Sequence, residues 1–192
     1  MFAELLRERV SPIVELSPIQ LNQLEHHYNL LVKWNKVLNL TGLHKLEEVV
    51  ERHYCESIFL GVHLPFGTLS IGDVGSGAGF PGVPVGIMRS ECKVSLIESH
   101  RRKGVFLRES TRELENIQVL TERVEQVNLR FDWVVCRAVL FSKIEKSVST
   151  ISARIAILGT EQPAGSCFTW NTPILLPWGR QRYLWLGTPR ST

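Results

Sequence analysis

The chain has 192 residues, 44% hydrophobic and 21% charged, with a formal net charge of +3 at pH 7. That length fits one domain, or one with a small appendage, and the apolar fraction supports a core without disulfide staples. Cys55, Cys92, Cys136 and Cys167 form no CxxC pair or Cys/His cluster, which excludes a recognisable zinc or other metal site and points to thiols in a reducing compartment.

The opening "MFAELLRERV" lacks the apolar core of a secretory signal, and no run approaches the ~20 apolar residues of a membrane span. A soluble, cytoplasmic protein is expected, with no membrane partner and no feature demanding more than a monomer. The mildly basic balance is compatible with a polyanionic partner.

From Ser17 to Leu38 the residues Leu21, Leu24, Tyr28, Leu31, Val32 and Trp34 recur at three- and four-residue spacing, the mark of an amphipathic helix. Ser17 before Pro18 supplies a cap and a first-turn proline. A second helix is expected over 45–59, with His53 on its inward face, before Gly61 and "LPFG" at 64–67 break it. Thereafter short apolar runs at 69–74, 93–97, 117–120, 131–136 and 154–158 alternate with helix-like segments at 81–89, 101–115 and 140–150. Such alternation implies the α/β class: a doubly wound, mostly parallel Rossmann-like sheet with an N-terminal helical cap. Pieces at 166–170 and 182–186 suit an antiparallel hairpin at one sheet edge. The cap is placed at 1–65 and the sheet domain, one compact unit, at 66–192.

Residues 73–82, "DVGSGAGFPG", follow the first strand. Glycines there let a ligand approach bare backbone beyond a strand end. A dinucleotide fingerprint would need glycine at position 80, which is Phe80. A nucleophile elbow fails because Val74 stands two residues before Ser76, and a P-loop fails because no lysine occurs between 46 and 92. The acid Asp73, two residues before Gly75, suits a cation and not a pyrophosphate. S-adenosylmethionine carries an ammonium and a sulfonium and no phosphate. The second strand ends at Glu98, placed to accept bonds from both hydroxyls of an adenosine ribose, a role shared by NAD and S-adenosylmethionine.

The stretches "LVKWNKVLNLTGL" (31–43), "RHYCES" (52–57), "IGDVGSGAGFPGVPV" (71–85), "LIESHRRKGVFL" (96–107), "TERVEQV" (121–127) and "FDWVVCRAV" (131–139) together resemble the RsmG/GidB family, bacterial 16S rRNA guanine-N7 methyltransferases. The resemblance implies S-adenosyl-L-methionine as donor and the 16S rRNA of the small ribosomal subunit as acceptor. By motif it implies that Gly75, Gly77, Gly79 and Phe80 line the cofactor's path, that Glu98 takes the ribose, and that Val124 and Glu125 border the adenine. It implies that Arg137 faces the reacting groups. The C-terminal third departs: the family's Leu-Lys-Gly after the fifth strand is here "AILGT", with Gly159 in the lysine's place. "GRQRYLWL" at 179–186 is similar to the family's closing Gly-x-x-Arg-x-Leu.

Guanine N7 presents an in-plane lone pair and no proton, so its methylation needs alignment and no general base. "CRAV" after the fourth strand carries no Asn/Asp-Pro-Pro-aromatic motif of amine methylation, and Cys136 reads as a buried thiol. Arg137 is the candidate catalytic residue, holding guanine O6 or a phosphate by charge-assisted bonds, against the alternative of a structural pair with Asp132 or Glu125. Arg101, Arg102, Lys103 and Arg108 either meet RNA phosphates or form a solvated face. Lys33, Lys36, His44 and Lys45 flank Trp34, read as a core anchor. Asn35 and Asn39 are expected to tie the cap to the glycine turn, and His53 is read as a satisfied core histidine. Two other functions stay open: an RNA- or ribosome-binding protein without catalysis, and a small-molecule methyltransferase with a helical lid.

Overall fold

The computed structural model describes residues 1–190. Helix α1 (Phe2–Val10), absent from the elements expected on periodicity, buries Phe2, Leu6 and Val10. Helix α2 (Pro18–Leu38) begins with a capping box: Ser17 accepts from the Gln20 N–H while the Gln20 side chain accepts from the Ser17 N–H. A short helix α3 (Leu46–Val49) runs through a wider, π-helical turn at Val50–Cys55 into α4 (Glu56–His63). Gly61, expected as a break, lies inside α4. A Cβ there would collide with the Met88 Cε, so the glycine serves close helix packing.

Strands β1 (Ser70–Val74), β2 (Lys93–Ile97), β3 (Ile117–Leu120), β4 (Trp133–Arg137) and β5 (Ile155–Gly159) pair in parallel in the order β3-β2-β1-β4-β5. Strand β8 (Tyr183–Pro189) then adds antiparallel to β5. On its far side it pairs antiparallel with β6 (Phe168–Trp170) and β7 (Ile174–Leu175), the edge arrangement expected from the sequence. Strand order reverses beside β1, between β2 and β4, where open α/β sheets bind ligands.

Helices α5 (Gly82–Met88) and α6 (Arg101–Ser110) share one continuous apolar cluster with the N-terminal helices. Helix α7 (Phe141–Ile151) closes the opposite face with Val74, Ile97, Val134, Cys136, Ile155 and Ile157. Alternation along the strands divides the clusters: Val135 and Ala156 belong to the first, their neighbours to the second. Helix α6 stops five residues before the expected end at 115. The hydroxyls of Ser110 and Thr111 both donate to the Leu107 carbonyl, competing with the helical ladder there.

Candidate active site

The glycine turn is fixed at both ends. Gly75 and Ser76 donate their N–H groups to the Ile97 carbonyl at the end of β2 (2.9 and 3.2 Å). Gly75 (φ 74°) leaves no room for a Cβ, which would lie 2.6 Å from Val139 Cγ1. At Gly77 (φ 58°) a Cβ would find only the Gly75 carbonyl, at 3.7 Å, so this backbone fronts open space.

Asp73 is fully buried beneath the turn. Its Oδ2 accepts from the Gly82 N–H at the start of α5 (3.0 Å), while Oδ1 has no hydrogen-bond partner among the described residues. Burial pushes its carboxyl up to about 7, opposed by the bond from Gly82. The sequence placed this acid beside a cation, but here it braces the turn from behind. Gly79 is also internal, since a Cβ on it would meet Val83 at 2.7 Å and His27 at 3.0 Å.

Two hollows flank the turn and share Gly75. The first, ≈ 150 Å³, is walled by Glu98, Val124, Glu125 and Val139. Glu98 accepts the Gly77 N–H at Oε2 (2.9 Å) and the His100 N–H at Oε1 (2.7 Å). Each carboxylate oxygen keeps a further lone pair, enough for one hydroxyl apiece. The second, ≈ 240 Å³, is walled by the turn from Gly75 to Ala78 with Leu40, His53, Phe80, Lys103, Arg137 and Ala138. The structure thus gathers Gly75, Glu98, Val124 and Glu125 on one side, and Gly75, Gly77, Phe80 and Arg137 on the other. Asp73 and Gly79 line neither hollow.

Arg137 ends β4, and Ala138 after it adopts a left-handed φ of 55°, so the chain turns sharply at the hollow. Its Nη1 donates to His53 Nδ1, and its Nε stands 3.7 Å from Glu56 Oε2. Glu56 is fully buried on the first turn of α4. Arg182, just before β8, donates Nε to Glu56 Oε1 and Nη2 to Oε2 (2.6 Å), and Arg52 Nε lies 3.6 Å away. Three guanidiniums therefore surround one carboxylate, leaving positive charge in surplus beside the hollow. Burial lowers the Arg137 pKa to about 10, with Glu56 opposing, so the group stays protonated at neutral pH. The alternatives weighed from sequence do not form: Asp132 accepts from the N–H and O–H of Ser70, and Glu125 belongs to the first hollow.

His53 fills both of its ring positions. Because Nδ1 accepts from Arg137, the proton sits on Nε2 and donates to Thr41 Oγ1 (2.7 Å). Burial first, then the Arg137 charge, lowers its pKa to about 2. Its ring stacks on Phe80 (4.5 Å between centroids, 12° between planes). It is the satisfied histidine read from sequence, and it also walls the second hollow. The π-helical turn that carries it is a widening often found at functional sites.

The tie between cap and turn is made by His27, not by the asparagines. With Nε2–H donating to the Ala78 carbonyl (3.1 Å), Nδ1 accepts from the Tyr54 O–H (2.8 Å). Burial holds His27 neutral, its pKa lowered to about 4. Asn35 instead exchanges two 2.9 Å bonds with the backbone of Thr41, closing the loop between them, and Asn39 takes a left-handed φ of 53° at the end of α2. Sequence reasoning missed His27, Glu56 and Arg182. "RHYCES" and "GRQR" marked the last two, but no spacing says that segments so distant meet. Of the basic run, Lys103 walls the second hollow, Arg101 and Arg102 are exposed, and Arg108 donates to Thr121. Trp34 packs in the core edge-on to Phe106, and Cys136 is fully buried with its thiol pKa pushed up.

A family model described as rRNA small subunit methyltransferase G matches residues 20–155. The chain is 36% identical over 181 residues to a ribosomal RNA small subunit methyltransferase G of Chromobacterium violaceum, an alignment covering 92% of this chain and 85% of that one. It is 40% identical over 132 residues to the protein so named in Nitrosomonas europaea, covering 67% of this chain and 60% of that one. Among solved structures, magnesium protoporphyrin IX methyltransferase from Synechocystis PCC 6803, solved with bound S-adenosylmethionine, shares the fold at a TM-score of 0.62. Its identity is 11%, with 85% of this chain and 97% of that one covered.

Proposed function

The chain belongs to the rRNA small subunit methyltransferase G family, and from that premise we propose that it transfers a methyl group from S-adenosylmethionine to N7 of a guanosine in 16S rRNA. It does so as a monomer in the cytoplasm, with the small ribosomal subunit as its substrate. The observation that carries this reading is the bare backbone at Gly75–Gly77, set between one hollow ending in Glu98 and another ending in Arg137.

The residues fit the donor. Glu98 retains acceptor capacity for two ribose hydroxyls, and Val124 and Glu125, which wall the same hollow, would border the adenine. The exposed face of Gly77 has no side chain to exclude a methionine moiety. When bound, S-adenosylmethionine supplies a sulfonium-activated methyl group for in-line displacement. The work left to the chain is alignment and exclusion of water. Arg137, directed by His53 and Glu56, presents fixed donors to guanine O6 or a neighbouring phosphate. Phe80 and Leu40 supply apolar walls. His53 cannot serve as a base, since its one basic nitrogen already accepts from Arg137; guanine N7 has no proton to give up.

The test is tritium transfer from labelled S-adenosylmethionine to purified small ribosomal subunits lacking the modification, followed by nucleoside analysis. Label in 7-methylguanosine is expected. Label in another nucleoside, or none, would overturn the proposal.

A further inference from the structure

A third hollow, ≈ 230 Å³, opens in the N-terminal helices between α2 and the loop that follows it. Leu31 and Leu43 form its apolar wall, Asn35 and Thr41 supply polar groups, and Lys36 and His44 stand at the exposed mouth. Neither Lys36 nor His44 has an ion-pair or side-chain hydrogen-bond partner among the described residues. Lys45 next door, by contrast, faces Glu48 at 4.0 Å.

This hollow adjoins the second one across a single hydrogen bond. Thr41 walls the third hollow, His53 walls the second, and Thr41 Oγ1 and His53 Nε2 are 2.7 Å apart. We infer that the third hollow holds an unstacked nucleotide adjacent to the target guanosine, its base against Leu31 and Leu43 and its phosphate at Lys36 and His44. The inference rests on the proposed function, since it needs an RNA strand whose target base occupies the second hollow.

Unsatisfied hydrogen-bonding capacity supports a base as occupant. Thr41 Oγ1 accepts from His53 Nε2–H and from the Leu43 N–H, so its own proton is free to donate. Asn35 spends one amide proton on the Thr41 carbonyl and one lone pair on the Thr41 N–H, keeping one of each. The wall therefore offers two donors and an acceptor to a base edge, over apolar side chains that suit its faces. Sequence-specific RNA recognition favours splayed single-stranded bases read in this way, with cationic side chains on the intervening phosphates. The hydrogen-bond line Thr41–His53–Arg137 also places the two bases against one polar frame.

The test uses the full chain with unmodified small subunits. The paired substitution Lys36→Ala with His44→Ala removes two exposed groups and leaves the core intact. Leu43→Trp fills the hollow and keeps Lys36 and His44. Both should raise KM for the subunit about 10-fold and leave cofactor affinity within twofold. The Lys36/His44 variant alone should also flatten the salt dependence of RNA binding, by roughly 0.7 in log–log slope for the phosphate that Lys36 leaves unneutralised. A photocrosslinker at position 44 should label RNA within two nucleotides of the methylated guanosine. Wild-type KM in the Lys36/His44 variant, or crosslinks confined to ribosomal protein or distant RNA, would overturn the inference even if Leu43→Trp fails to fold. Absence of transfer by the unaltered chain would overturn the function reading itself, and this inference with it.

Discussion

Arg182 grips both carboxylate oxygens of Glu56, joining the sheet's antiparallel edge to the first turn of α4 across 126 residues of chain. The pair is almost wholly shielded, with side-chain exposures of 10% and 0%. Removing Arg182 takes both direct hydrogen bonds from Glu56, leaving it only Arg52 and Arg137 at 3.6 and 3.7 Å, and a hydrogen bond to a charged group is worth about 1.5–3 kcal/mol. Arg182→Ala should therefore lower the unfolding free energy by that amount in urea titration, and Arg182→Lys by less. A loss within error for Arg182→Ala would show that the pair does not hold the edge.

Arg137 stands between His53 and Glu56 with its planar fork already directed. Arg137→Ala should keep cofactor affinity, measured by calorimetric titration, and reduce methyl transfer to small subunits at least 100-fold. Arg137→Lys should also be poor, since a point charge cannot reproduce a fork held by two partners. Turnover near wild type in either variant would remove Arg137 from the chemistry.

In the proposed function Glu98 would have two jobs, because the oxygens that would meet a ribose also accept the Gly77 and His100 N–H groups. Glu98→Ala should weaken cofactor binding by about 10- to 100-fold, corresponding to the roughly 1.5–3 kcal/mol of a hydrogen bond to a charged group. The same variant should raise hydrogen exchange at Gly77 and His100. Intact cofactor affinity would place the ribose elsewhere.

Asp73 gives stability a pH signature. At pH 5–6 an unfolded Asp is ionised, whereas the buried carboxyl, raised to about 7, keeps its proton; the native state binds the extra proton, so this group's contribution falls as pH rises from about 4 to 7. His27 and His53 act oppositely: neutral in the fold and protonated when unfolded, they make stability rise with pH up to about 6.5. Relative to wild type, Asp73→Asn should gain stability with rising pH across that window, by at most about 1.4 kcal/mol per unit. Urea titrations at pH 4.5, 5.5 and 6.5 would measure it. A pH-independent difference between the two proteins would mean that Asp73 is ionised in the native state.

Much of the architecture was legible in short-range pattern. The three- and four-residue spacing from Leu21 onward, the cap at Ser17 and the alternation of apolar runs with helical segments each report on neighbours within a few residues. The glycine turn was legible for a similar reason: tolerance of the positive φ that Gly75 and Gly77 adopt is a property of glycine itself. Where local reading erred, a packing partner or a competing local bond intervened. Met88 packs closely over the glycine inside α4, and two hydroxyls on the Leu107 carbonyl compete with the ladder where α6 ends.

The sequence by itself determined the parallel sheet, the bare turn after β1 and the acid ending β2, because strand periodicity and backbone sterics are local properties. Only the tertiary structure decided which charges meet. It sent Asp73 behind the turn, assigned His27 to the Ala78 carbonyl, and drew Arg52, Arg137 and Arg182 around Glu56. A buried ionic or polar group must find its partner among whatever segments folding brings alongside, and that choice is set by the crossing of distant elements, not by spacing along the chain.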